Sequence, residues 1–316
     1  MTAASGAQLE VPALAEGVPA QRGPFRVALR RVVQDKAAVG GLVIVLAAAA
    51  VAIAAPVVAP SSPVATDFGA TLQGPSREHL LGTDNLGRDE FARIVYGARI
   101  SLAGVSVGAL LIMLIGVTIG LLSGYYGGVV DSAIQRLIEI LLAFPSLVLA
   151  LAIAGILGPS MRNVIVAVVL VHWVGYARLT RGMVLSARAE PYVESARAIG
   201  ARDRRIMFRQ ILPNVISPII VLLTLEMGGL LLAISSLSFL GLGAQPPTAE
   251  WGNMLNQARP FFQSHPHLMI VPGAAITLTV LGFNLLGDGL RDALDPRAGR
   301  LVGRAGRRRF AIRPAR

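Results

Sequence analysis

Apolar runs separated by shorter polar intervals set the pattern of this 316-residue chain. Six runs, at 37–59, 101–122, 132–157, 164–180, 215–237 and 268–286, are each near the ~20 residues that cross about 30 Å of hydrocarbon as a helix. The pattern predicts an all-α membrane protein with six transmembrane helices. Five parts follow: an N-terminal tail at 1–36, a first span at 37–59, an outer segment at 60–100, a five-helix core at 101–290 and a basic tail at 291–316. The basic stretch before residue 37 resembles the start of a signal peptide, but the apolar run behind it is too long for one and reads as an uncleaved span.

The polar interval 191–214 within the core is itself patterned as helix. Tyr192, Ala196 and Ile199 fall on one face, with Glu194 and Arg197 turned elsewhere. Pro191 suits a first helical turn, and Gly200 suits the left-handed residue that ends a helix. Asp203 is placed to cap a second short helix that Pro213 would stop. A helix-turn-helix lying between two spans is the expectation.

Composition agrees with the membrane reading: 54% hydrophobic, 15% charged and a mean hydropathy of +0.63. The chain has no cysteine, which excludes disulfides and thiolate metal sites. Lys36 is its one lysine and stands between Asp35 and Ala37, so no phosphate-binding Gly-Lys-Ser/Thr loop is present. The net charge of +11 raises nucleic acid as a partner, but the basic residues gather in three places. These are Arg22, Arg26, Arg30, Arg31 and Lys36; then Arg178, Arg181, Arg188, Arg197, Arg202, Arg204, Arg205 and Arg209; then Arg291 with eight arginines beyond it. With six spans all three lie on one side, which the charge rule makes cytoplasmic.

Candidate chemistry is sparse. Gly104-Val105-Ser106-Val107-Gly108 matches a nucleophile elbow formally, yet lies inside an apolar helix where no strand-to-helix turn can form. Gly104, Gly108, Gly116, Gly120 and Gly124 read instead as a small-residue packing stripe. His79, Asp84 and Asp89 fit no metal-ligand spacing and read as a cap over the next span, and His265 and His267 flank a proline in an outer loop. Asp131 is placed to cap the third span, and Arg136 can pair with Glu139. His172 and Glu226 lie within spans, where an ionisable group is a candidate for the transport pathway or for a helix–helix bond. No catalytic residue and no metal site is expected.

Four blocks carry a family resemblance. Glu194-Ser195-Ala196, Gly200 and Leu212-Pro213 resemble the EAA loop of ABC-transporter permeases, with Ser195 for an alanine and Ile211 one place later than the family isoleucine. The stretch from His79 through Gly82-Thr83-Asp84-Asn85-Leu86-Gly87-Arg88-Asp89 is similar to a signature of the dipeptide, oligopeptide and nickel permeases, as are Leu237–Gly252 and Asn284–Arg297. The resemblance implies the type I importer permease architecture, with Glu194, Ser195, Ala196, Gly200, Ile211, Leu212 and Pro213 as the ATPase-coupling set. It also implies a second permease, two ATP-binding subunits and a solute-binding protein outside the cell. ATP and magnesium would be held on the ATPase subunits, and this chain would have no cofactor of its own. Its expected place is the bacterial inner membrane, among lipid, with both termini cytoplasmic and short peptides or nickel as cargo. A secondary transporter and an intramembrane serine protease using Ser106 and His172 are the rival classes.

Overall fold

A computed structural model describes residues 32–294. The arginines of the N-terminal tail and those beyond Arg291 therefore lie outside the described residues.

Helix α1, Lys36–Ile53, is capped by Asp35, whose carboxylate accepts from the amides of Ala37 and Ala38 at 2.8 and 3.4 Å. A single turn, α2 (Ala55–Val58), follows. The expected outer segment ends earlier than residue 100, because α3 begins at Glu90 and runs unbroken to Tyr126. Asp89 caps it by accepting from the Ala92 amide at 3.2 Å. At about 1.5 Å per residue its 37 residues extend ~55 Å, so α3 projects beyond the hydrocarbon.

The third expected span is not one helix. It is α4 (Gly128–Leu142) and α5 (Ser146–Leu157), which meet at 90°. Pro145 explains the break: it has no amide hydrogen and forces the preceding residue out of helical geometry. Asp131 does not cap α4. Gly127 holds the cap position, and Asp131 is turned to Arg181, which donates to its two carboxylate oxygens at 2.6 Å each. Arg136 and Glu139 do pair, at 3.2 Å on the exposed face.

Helix α6 is Met161–Arg188 and α7 is Pro191–Ala198. Helix α8, Asp203–Ile206, does not stop at Pro213 as expected. It passes through one π-helical stretch, Met207–Ile211, into α9, Leu212–Phe239. Pro213 stands just after the π-helical stretch, where the regular hydrogen-bond ladder is already interrupted. Asp203 is the first residue of α8, not its cap. The outer helix α10 is Trp251–Ala258, and α11 is His267–Leu294. Among the described residues, five helices are long and apolar enough to cross a membrane, or six spans when the bent pair is taken as one.

Core packing centres on α3, α6 and α9. Val105, Ile112, Val164, Val168, Ile219 and Leu231 are all fully buried in one cluster. The glycine stripe is what brings α3 onto α6: an added Cβ at Gly116 would lie 2.5 Å from the Tyr176 Cβ and 2.6 Å from the Trp173 carbonyl oxygen. Ser106 faces outward from an unbroken helix.

The segments before α3 and between α9 and α11 are tied together by buried charge. Arg88 Nε donates to Asp84 Oδ2 at 2.6 Å, and Arg93 Nε lies 3.4 Å from the same oxygen. Both guanidinium groups donate to Gln257 Oε1 on α10, at 2.6 and 3.2 Å. Glu250, fully buried, caps α10 by accepting from the amides of Gly252 and Asn253 at 3.0 and 2.8 Å, and accepts from the Ser101 hydroxyl at 3.1 Å. Burial pushes its carboxyl above the usual carboxylate range. The residues first weighed as metal ligands serve this cover: Asp84 holds the arginines, Asp89 caps α3 and His79 Nδ1 sits 3.5 Å from Asp89.

Candidate coupling surface and pathway

The candidate coupling set sits at the arginine-rich end of the bundle, between α6 and α9. Pro191 begins α7, whose Val193 and Ala196 are buried against the bundle. This corrects the expected face: Ala196 points inward, but Tyr192 and Ile199 are exposed, Ile199 at 84%. Glu194, Ser195, Arg197 and Ala198 are exposed too, so the outer surface of the helix is free of the chain's own core. The Ser195 hydroxyl donates back to the Pro191 carbonyl at 2.8 Å.

Gly200 closes α7 as expected, with φ +76. The Ala201 amide reaches the Ala196 carbonyl at 3.0 Å and the Gly200 amide reaches that of Arg197 at 2.9 Å, so the helix ends in a left-handed turn. A Cβ at Gly200 would meet nothing within 4 Å, so space around it is open. Of the remaining set, Ile211 is fully buried, Leu212 is half-buried and Pro213 is exposed. The loop thus divides into an anchor (Val193, Ala196, Ile211) and a presented surface (Glu194, Arg197, Ile199, Gly200).

His172 on α6 and Glu226 on α9 are both half-buried. Tyr176 lies one turn from His172 on α6, with its Cβ against Gly116 of α3. Among the described residues the buried Tyr176 hydroxyl has no hydrogen-bond partner. Below these residues an open cavity of about 810 Å³ lies between α6, the start of α7 and α9, lined by Arg178, Met183, Ser186, Glu190, Tyr192 and Asn214.

Residues 116–300, more than half the chain, match the family described as the binding-protein-dependent transport system inner membrane component. The chain belongs to that family. Residues 23–75 of the permease also match the N-terminal TM domain of oligopeptide transport permease C. The permease is 47% identical to the dipeptide transport system permease protein DppC of Alkalihalophilus pseudofirmus, over 87% of its own length and 90% of that protein's. It is 48% identical to the glutathione transport system permease protein GsiD of Pectobacterium atrosepticum, over 87% and 92%. Among solved structures, an inward-facing MetNI methionine ABC transporter aligns with TM-score 0.49 at 19% identity, covering 65% of this chain and 97% of that one.

The permease is therefore a multi-pass, all-helical subunit of an ABC importer of the peptide family, and the family's ATPase is a separate subunit. The rival classes, secondary transporter and membrane protease, are set aside by this membership.

Proposed function

We propose that the permease, with a second permease of related fold, forms the passage for short peptides through the bacterial inner membrane. Two ATP-binding subunits sit on its cytoplasmic face, and a solute-binding protein delivers cargo outside. Both termini are cytoplasmic. The observation that carries the reading is α7, anchored by Val193 and Ala196 and exposed through Glu194, Arg197 and Ile199. A short helix anchored on one side and open on the other is suited to a groove on a partner. The peptide class rests on the relatives, named for a dipeptide and for glutathione.

In this scheme ATP closes the ATPase pair, α7 moves with it, and the bundle opens outward to accept the peptide. Hydrolysis returns the bundle to an inward opening. ATP does this work only insofar as the two conformations differ in affinity for the ATPases and the loaded binding protein. Glu226 and His172 would face the peptide during passage, and the cavity at Arg178 and Glu190 would form the exit.

The test is uptake by the reconstituted complex in vesicles. ATP-dependent entry of a labelled dipeptide, abolished by omitting the binding protein, is the expected result. Entry of nickel alone, or of peptide without ATPase subunits, would overturn it.

A further inference from the structure

The cytoplasmic end of α3 is held by more contacts than its burial requires. Tyr125, the penultimate residue of α3, is 5% exposed, and its ring packs in the main core. Its hydroxyl donates to Asp203 Oδ1 at 2.6 Å. The guanidinium of Arg197 lies over its ring, 5.5 Å from the centroid. Its carbonyl accepts from Arg188 Nη1 at 2.8 Å. One residue of α3 thus touches the last turn of α7, the first residue of α8 and the last residue of α6.

The two side-chain contacts straddle Gly200. Arg197 precedes the left-handed turn and Asp203 follows it, so the Tyr125 side chain grips the α7–α8 hairpin from both arms. Asp203 is an exposed residue that water could serve equally well. Filling the core requires only a ring, so the hydroxyl adds a bond that packing does not need. A bond from a hydroxyl to a carboxylate is strong and directional. With these contacts made, α7 cannot shift against α3 without breaking them or taking α3 along.

We propose that Tyr125 is the positioning residue that passes movement of the α7–α8 hairpin to α3. The inference rests on α7 being the helix that contacts an ATPase. Helix α3 then acts as a rod, with Tyr125 at its inner end. Near its outer end Arg93 meets Asp84 and Gln257, the clamp that joins the two outer segments. Movement at the hairpin reaches the outer cover through one continuous helix, and no chain of loops is needed. Arg181 on Asp131 adds a parallel tie, from α6 to the start of α4.

The experiment uses the full complex in vesicles with its binding protein, and measures peptide transported per ATP hydrolysed. Tyr125→Phe keeps the ring, and Asp203→Ala alters an exposed residue, so both variants assemble with wild-type subunit stoichiometry. Each is expected to lower the transport-to-hydrolysis ratio by about fivefold or more, the low end of coupling between distant sites. The double variant should be no worse than either single one, because both remove the same bond. A purely structural tyrosine would shift the melting temperature and leave the ratio alone. A Tyr125→Phe ratio within about twofold of wild type, or a double variant whose loss multiplies those of the singles, would overturn the proposal. A wild type that transports with no ATPase bound would instead overturn the functional reading on which it rests.

Discussion

Gly116 offers a sharp test of how α3 meets α6. A Cβ there would fall 2.5 Å from the Tyr176 Cβ and 2.6 Å from the Trp173 carbonyl oxygen, with the Ala177 amide nitrogen at 3.2 Å. Backbone atoms and a Cβ cannot rotate away, so Gly116→Ala must push the helices apart by roughly 1 Å, and overpacking of that kind costs about 1–3 kcal/mol. Gly108, two turns earlier on α3, is the control. Its added Cβ would sit 4.0 Å from the ends of Ile165 and Ile234, ordinary contact distance. Gly108→Ala should therefore be neutral, or gain up to about 1 kcal/mol from helix propensity, and Gly116→Ala should stand well below it. Thermal unfolding of the purified complex in detergent checks the order. Trp173 reports on the same interface, because it is buried on α6 directly opposite. Equal midpoints for the two alanine variants would refute the claim that α3 and α6 touch through backbone at Gly116.

Three other predictions follow from named residues. At Gly200 an added Cβ meets no atom within 4 Å, so the main cost of Gly200→Asp inside the chain is the left-handed backbone, about 1–2 kcal/mol; the protein should accumulate and insert but lose transport and ATPase co-purification, and normal transport would remove the loop from coupling. Glu226→Gln removes a charge that costs roughly 2.5–3.5 kcal/mol on insertion scales; membrane abundance should hold or rise while peptide uptake falls severalfold, and unchanged uptake would take Glu226 out of the pathway. The Glu250 carboxyl is raised in the folded chain by burial, so its contribution is fully present below pH ~4.5 and is lost as pH rises through the raised value. Glu250→Gln should therefore gain on wild type in melting temperature as pH climbs from acid to neutral, and a constant difference across that range would sink the assignment.

Most of the spans were legible because run length alone marks them, and the left-handed end at Gly200 was legible because only glycine adopts that backbone cheaply. What escaped was decided by tertiary partners. The first turns of α3 carry Glu90, Arg93 and Arg99, which read as solvated outer loop until Asp84 and Gln257 are seen to meet Arg93. Pro145 did announce a break, but an apolar run on both sides of it reads as one span until the 90° bend is seen. Pro213 looked like a stop because a proline ends a helix in isolation; here the π-helical stretch before it absorbs the missing donor. Tyr125 and Tyr176 are invisible in periodicity, since an aromatic on an apolar helix is ordinary filler until its hydroxyl is located. Tyr192 and Ile199 show the converse: apolar residues at helical spacing imply burial only when the chain itself supplies the cover.

The clamp on Gln257 fixes an order of events during synthesis. Asp84, Arg88 and Arg93 leave the ribosome long before Gln257, which follows Arg88 by 169 positions. Until α10 is made, both guanidinium groups lack their bond to Gln257 while keeping those to Asp84. The clamp therefore closes only after most of the polypeptide has been made, so a nascent chain truncated before α10 leaves Arg88 and Arg93 short of their shared acceptor.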